Sequence, residues 1–349
     1  MAALRLLLLT ALVLQVAAPV DLASAVRARM EKGRKGGMVA GILTREGRTA
    51  SAGYGESGNA DVALDDRTVF EIGSITKVFT ATLLADMVER GEVKYEDPVA
   101  KYLPPGVTMP QRGGRQITLV DLATHTSGLP RLMTNMSPAD RRNPYADYTV
   151  TQLYEFLSGH QLTRDIGAQY EYSNIGMGLL GHVLALKAAT SYEALVKTRI
   201  LDPLGMTDTA ITLTPSMKSR LAVGFAMDGS RASNWDIPTL AGAGALRSNV
   251  RDMLAFARAN LSDPPSAPLS RAMRQAQDVR HATGRPGMSV GLGWHVRTTE
   301  GTDVHWHNGG TGGYRTWIGF DRKRGVAAVV LTNSAEGADD FGFELVTKR

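Results

Sequence analysis

Apolar positions along the chain change period several times, and each change marks an element. Leu22, Val26 and Met30 recur at helical spacing within Asp21 to Lys32, which predicts a first helix. Two apolar runs, Met38 to Thr44 and Arg48 to Tyr54, flank Arg45-Glu46-Gly47 and predict a β-hairpin. A helix is predicted from about Ser74 to Arg90, with an apolar stripe through Ile75, Val78, Phe79, Leu83 and Met87. Gly91 is placed to close it. A second apolar helix is predicted from Ile175 to Leu186. Further on, Val304 to Trp306, Tyr314 to Phe320 and Val326 to Thr332 read as a meander, with Asp321 to Gly325 as a turn. Two stretches break the periodicity. Arg131 to Thr149 reads as a long site-shaping loop, and proline-rich Ser262 to Leu269 as a surface loop.

Strands toward both ends, with helical sequence between them, predict one antiparallel sheet assembled from both termini and a helical insertion packed on it. The fold class expected is α/β (α+β) with two lobes. The α/β lobe is expected at about residues 21–73 and 236–349, and the all-helical lobe at about 74–235.

Composition narrows the function. At 349 residues the chain can bury a sizeable core, and its 43% hydrophobic and 21% charged residues are ordinary for a soluble globular enzyme. The basic clusters Lys32 to Lys35 and Arg322 to Arg324 are short and carry no aromatics, so no nucleic-acid partner is expected. Absence of cysteine removes disulfides, thiolate zinc sites and cysteine nucleophiles. Arg5 precedes the apolar run Leu6 to Val16 and then Ala17 and Ala18, the pattern of an export signal over about residues 1–20. The run is too short to span a bilayer comfortably, so a periplasmic or secreted protein is expected. Its cleavage point stays open: Pro19 disfavours cutting after Ala18, and Ala23-Ser24-Ala25 lies within the first predicted helix.

Ser74-Ile75-Thr76-Lys77 carries the chemistry. A serine hydroxyl needs a neighbour to take its proton, and three residues along a helix bring a lysine amine to the serine's side. It is the only S-x-x-K in the chain, and Tyr172-Ser173-Asn174 is the only Y-x-N. His307-Asn308-Gly309-Gly310 follows on a strand, where glycines let backbone approach a ligand. Each has a blander reading: Ser74 as a helix cap, Lys77 as a surface lysine, Asn174 as the cap of the next helix. His305 and His307 alternate onto one strand face, but no third ligand accompanies them, so neither metal nor cofactor is expected. A Ser/His/Asp triad is the rival hydrolase mechanism, and no nucleophile elbow is expected to operate.

The order S-x-x-K, Y-x-N, H-x-G resembles the penicillin-recognising serine hydrolases: class C β-lactamases, D-alanyl-D-alanine carboxypeptidases and related esterases and D-aminopeptidases. Thr124-His125-Thr126-Ser127-Gly128-Leu129-Pro130, Gly242 to Leu246 and Val329 to Ser334 extend the likeness over nearly everything after residue 21. The resemblance implies a five-stranded-type antiparallel sheet flanked by helices, as in β-lactamases and transpeptidases. It implies Ser74 as nucleophile, Lys77 as base or relay, and Tyr172 as base for deacylation and acid for the leaving group. Asn174 would bind the substrate amide and Lys77. His307, Asn308, Gly309 and Gly310 would bind substrate, with the backbone N–H groups of Gly310 and Ser74 as the oxyanion hole. His125 is expected to be structural. Two departures stand out: His307 where class C β-lactamases carry lysine, and Leu132 where they carry glutamine. A histidine there has a charge that depends on pH, unless Arg315 or Arg247 supplies a fixed one. The expected substrate is a β-lactam, a D-alanyl peptide amide or other peptidoglycan-derived molecule. A carboxylesterase, or a non-catalytic penicillin-binding sensor, is the alternative.

Overall fold

The computed structural model describes residues 21–32, 35–262, 267–299 and 301–348. The export-signal segment, the middle of the Lys32 to Lys35 cluster and half of the proline-rich stretch lie outside them. Helix α1 (Leu22–Met30) is capped by Asp21, whose carboxylate accepts from Ala23 N and Ser24 N at 3.1 and 3.3 Å. Its apolar positions Leu22, Val26 and Met30 are the ones buried. Among the described residues, no helix is long and apolar enough to cross a membrane.

The hairpin forms as β1 (Gly37–Leu43) and β2 (Thr49–Gly55). Six later strands complete one sheet: β3 (His281–Ala282), β4 (Met288–Val290), β5 (His295–Thr299), β6 (Thr302–Gly310), β7 (Arg315–Asp321) and β8 (Val326–Thr332). Their order is β2-β1-β8-β7-β6-β5-β4-β3. Strand β1 pairs with β8 from Met38 opposite Thr332 to Leu43 opposite Ala327, so the two ends of the chain do share a sheet. The sheet is antiparallel as expected but has eight strands. The additional members β3 to β5 are short, and two to five residues carry too little alternation to announce themselves.

Period-2 alternation sends the two faces of the sheet to different cores. Met38, Ala40, Ile42, Trp317, Ala328 and Val330 pack with α1 and with the C-terminal helix α7 (Asp339–Thr347). Val39, Leu43, Ile318, Phe320, Val329 and Leu331 face the main core. That core is built around α2 (Thr76–Glu89), where every residue from Thr76 to Met87 is buried. The expected stripe is therefore part of a helix buried on all sides, its polar Thr76, Lys77, Thr80, Thr82 and Asp86 included. Helices α3 (Leu119–Ala123), α4 (Asn174–Lys187), α5 (Val250–Leu261) and α6 (Pro268–Gln277) contribute to the same core. Helix α6 absorbs Pro268 and Leu269 from the expected loop, because proline suits a first helical turn. Residues 131–149 form the long loop that the broken periodicity predicts.

Candidate active site

Ser74 lies in a 3-10 turn (Gly73–Ile75) that runs directly into α2. Gly73 has φ +50, and a side chain there would put its Cβ 2.7 Å from Gly310 N. Gly309 is held as tightly, since a Cβ on it would meet Ile72 O at 1.9 Å. Glycine at both positions lets the end of β6 run against the turn that carries the serine. This brings the first and third motifs together.

One turn along α2, the Lys77 side chain is wholly buried. Its Nζ donates to Ala243 O at 2.6 Å and reaches Ser74 Oγ at 2.9 Å. Burial, reinforced by the Arg131 guanidinium, pulls its pKa well below the ordinary lysine value. This favours the neutral amine, the form that has a lone pair to take a proton.

Tyr172 is fixed by its neighbours. Ser173 caps α4, its hydroxyl accepting from Gly176 N at 2.9 Å and donating to Pro130 O at 2.7 Å. Ser173 N donates to His125 Nδ1 at 3.1 Å, and Glu171 N donates to His125 O at 2.8 Å. His125 adopts φ +59 to make both contacts, a strained setting for a non-glycine residue. Its expected structural role agrees with these bonds. The Tyr172 phenol lines the same cleft as Ser74, and Lys77 Nζ lies 4.9 Å from its ring centroid. Three imidazoles surround the ring, His125 at 4.6 Å, His307 at 6.1 Å and His295 at 6.2 Å between centroids. Burial pushes the phenol well above its usual pKa, so it is neutral and can only relay a proton.

Asn174 is the first residue of α4 and not its cap. Its Nδ2 donates to Tyr145 OH at 3.5 Å, and its Oδ1 is buried without a protein partner. The expected bond to Lys77 is not made, because that amine is directed to Ala243 and Ser74.

His307 requires a larger correction. Its ring is buried, and its Nδ1 contacts Asn308 O at 2.7 Å. A carbonyl only accepts, so Nδ1 carries the proton and Nε2 presents a bare lone pair. Burial first, and then His295 and Lys77, pull the pKa well below 6.5. His307 is therefore a neutral acceptor at physiological pH and supplies neither a cation nor an outward N–H. Fixed charge comes from arginines instead. A cleft of about 560 Å³ has Ser74, Tyr172, Asn308, Gly309 and Gly310 in its walls, together with Arg131, Arg285 and Arg315. Arg247 lies away from it, paired with Glu71 and Asp236. Asn308 donates through Nδ2 to Asp339 at 2.7 Å, a carboxylate on the same wall.

Sequence reasoning missed several of these side chains. Leu132 is 39% exposed and absent from the cleft walls, whereas Arg131 lines them with its guanidinium 5.0 Å from the Tyr172 ring centroid. His295 accompanies Tyr170, their Nε2 and hydroxyl 2.7 Å apart. Burial, then Lys77 and Arg285, pull His295 down to about 4. Trp235 and Tyr145 enter from loops with no periodic signal at all. One overlooked motif carries nothing: Gly287-Met288-Ser289-Val290-Gly291 has nucleophile-elbow spacing, but Ser289 sits mid-strand in β4, opposite Val296. An elbow requires a strand-to-helix turn.

A Beta-lactamase family model matches residues 22–346. The D-alanyl-D-alanine-carboxypeptidase/endopeptidase AmpH of Escherichia coli (strain K12) is 32% identical over 316 residues, covering 84% of this chain and 80% of that protein. A beta-lactamase of the same strain is 29% identical over 315 residues, covering 79% of each. Among solved structures, a beta-lactamase/D-alanine carboxypeptidase from Pseudomonas syringae superposes with a TM-score of 0.78 at 22% identity, covering 90% of this chain and 93% of that one. A class C beta-lactamase mutant gives a TM-score of 0.82 at 20% identity, covering 94% and 97%. These two likenesses concern the fold.

Proposed function

This chain belongs to the beta-lactamase family and is a serine hydrolase, and from that premise we propose that it works through an acyl-enzyme on Ser74. Lys77, a buried amine 2.9 Å from Ser74 Oγ with its pKa pulled below the ordinary lysine value, takes the hydroxyl proton as the oxygen attacks the substrate carbonyl. That contact carries the reading. Tyr172, a protonated phenol on the wall of the same cleft, gives its proton to the departing group and takes one back from the Lys77 ammonium, and water reverses the sequence in deacylation. The backbone N–H groups of Ser74 and Gly310 stabilise the oxyanion, and Asn174 orients the acyl side.

The substrate class is a β-lactam or a D-alanyl peptide amide. The two named relatives from Escherichia coli act in name on such bonds. A carboxylesterase on the same scaffold is the second reading. It is favoured by His307, which removes the cation that the third motif would otherwise present. The apolar run Leu6 to Val16 supports export. We further assign about 21–73 and 236–349 to an α/β lobe and about 74–235 to a helical lobe.

The test is intact-protein mass spectrometry after incubation with a fluorescent penicillin. Wild type should gain the mass of the penicillin and Ser74→Ala nothing. An adduct elsewhere in the chain overturns the reading. Parallel rates on nitrocefin and short p-nitrophenyl esters separate the two substrate classes.

A further inference from the structure

We propose that Asp339 makes the leaving-group side of the cleft bipolar, so that it selects a leaving amino acid with a cationic side chain as well as a carboxylate. This rests on the acyl-enzyme reading above and narrows its substrate class.

When a peptide acylates Ser74, its C–N bond breaks, the acyl carbon stays on the serine oxygen and the departing nitrogen takes up a proton. The leaving residue therefore lies on the side of the proton donor. Tyr172 is that donor, and it lines the cleft of about 560 Å³. Asn174, assigned to the acyl side, does not line it. The charged side chains of the cleft walls, Arg131, Arg285, Arg315 and one carboxylate, Asp339, are thus available to the leaving residue. Among the described residues none of these four is in an ion pair. The guanidinium groups suit the α-carboxylate that a C-terminal residue brings. A carboxylate beside them opposes that group, unless the same residue also brings a positive charge.

Asp339 opens α7, where a carboxylate can simply complement the positive end of the helix. Its side chain is engaged elsewhere. Asn308 on β6 donates through Nδ2 to Asp339 Oδ2 at 2.7 Å, and that bond holds the carboxylate against the cleft wall. The next residue, Asp340, pairs instead with Arg29. Burial raises the Asp339 pKa and Asp340 adds to the effect, while the Asn308 bond and the Arg315 charge favour the ionised form. Arg315 spends its Nη1 on the Thr311 and Tyr314 carbonyls, at 2.7 and 2.8 Å. A half-buried carboxylate without a cation is costly to keep, and an ammonium arriving with the substrate supplies the partner. Diamino acids have the required chemistry, an α-carboxylate for the arginines and a side-chain ammonium for Asp339.

The experiment follows release of the C-terminal residue from N-acetyl-D-alanyl-D-lysine, N-acetyl-D-alanyl-D-alanine and N-acetyl-D-alanyl-D-glutamate. These share one acyl group and one α-carboxylate and differ only in the charge of the leaving side chain. In wild type, kcat/KM for the lysine peptide should exceed that for the alanine peptide by about fivefold or more, the worth of one partly exposed ion pair. The glutamate peptide should fall below both. Asp339→Asn keeps an acceptor for Asn308 and removes only the charge. It should bring the lysine-to-alanine ratio to roughly one or below and raise the glutamate-to-alanine ratio. Asp340→Asn, one residue further and outside the cleft walls, should leave both ratios as in wild type. Equal wild-type rates on the lysine and alanine peptides, or ratios that Asp339→Asn does not move, overturn the proposal. So does an equal shift in Asp340→Asn, which would make the effect one of the helix end, and so does failure to cleave any of the three peptides. Each of these leaves the acyl-enzyme standing as long as penicillin adds to Ser74, whereas cleavage that survives Ser74→Ala brings down both. Should Asp339→Asn fail to fold, Asp339→Ser decides by the same ratios.

Discussion

Lys77 and Arg247 are both buried cationic side chains, and the protein treats them in opposite ways. Arg247 lies beside carboxylates, with Nη2 3.4 Å from Glu71 and 3.3 Å from Asp236, and it also donates to the Ile211 and Trp235 carbonyls. Its charge is compensated, so it holds structure together. Lys77 has a carbonyl, a hydroxyl and aromatic faces around it, and the nearby charge that acts on it is another cation, Arg131. An uncompensated buried charge is relieved most cheaply by losing its proton. One site therefore stores a charge and the other creates a base. Burial alone predicts neither outcome; the sign of the neighbours decides.

The largest effect that would sharpen this contrast is on turnover. Ser74→Ala should lower kcat by about six orders of magnitude, as removal of the nucleophile does in other serine hydrolases. Lys77→Met should approach the same loss in steady-state assays. Its thermal midpoint should hold or rise, because an apolar chain of similar volume replaces a desolvated amine. A Lys77→Met protein that unfolds early would mean the amine is structural, and the contrast would collapse. Lys77 also predicts a direction with pH. Its native pKa lies below the unfolded value of ~10.4, so between the two the unfolded state binds more protons and stability rises with pH. Chemical denaturation of wild type across that window should show the rise, and Lys77→Met should reduce it.

Tyr172→Phe comes next. It deletes one hydroxyl from a ring held by its neighbours, so the fold should persist while kcat drops by about 10²–10⁴, the usual contribution of a general acid–base group. Wild-type rates on both esters and β-lactams would remove Tyr172 from the mechanism. Arg247→Met tests the other half of the comparison. Breaking a buried ion pair leaves Glu71 uncompensated and should cost about 3–5 kcal/mol, read by urea denaturation. Residual activity per folded molecule should survive, because Arg247 stands outside the cleft that Ser74 and Tyr172 line.

The smallest expected effect is a shift in a pH profile. Arg131→Gln removes the cation that helps to depress Lys77, so the amine should keep its proton to higher pH. The acid limb of kcat/KM should then move toward higher pH. An unmoved limb would leave burial as the sole cause of the depressed value. Anionic and neutral substrates should show the same profile in wild type above pH 6.5, since burial holds the His307 pKa well below that value.

Local chain geometry determined a good deal of this protein. The spacing of Ser74 and Lys77 on one helix, the hairpin at Arg45 to Gly47, the central strands of the meander and the long loop from Arg131 are all readable because their causes lie within a few residues. Glycines at 309 and 310 announced a close backbone approach, and the approach is to Ile72 and Gly73. Tertiary structure alone decided the charges. Nothing within ten residues of His307 or Lys77 states that both lie fully buried, that three imidazoles surround Tyr172, or that the charge acting on the amine is another cation, Arg131. The contact between Tyr145 and Trp235 is further still from local reading, since the two rings stand ninety positions apart in loops without period. Helical and strand patterns are written by short-range sterics and hydrogen bonds. Desolvation and electrostatic neighbourhood depend on which distant segments pack together, and only the folded chain fixes that.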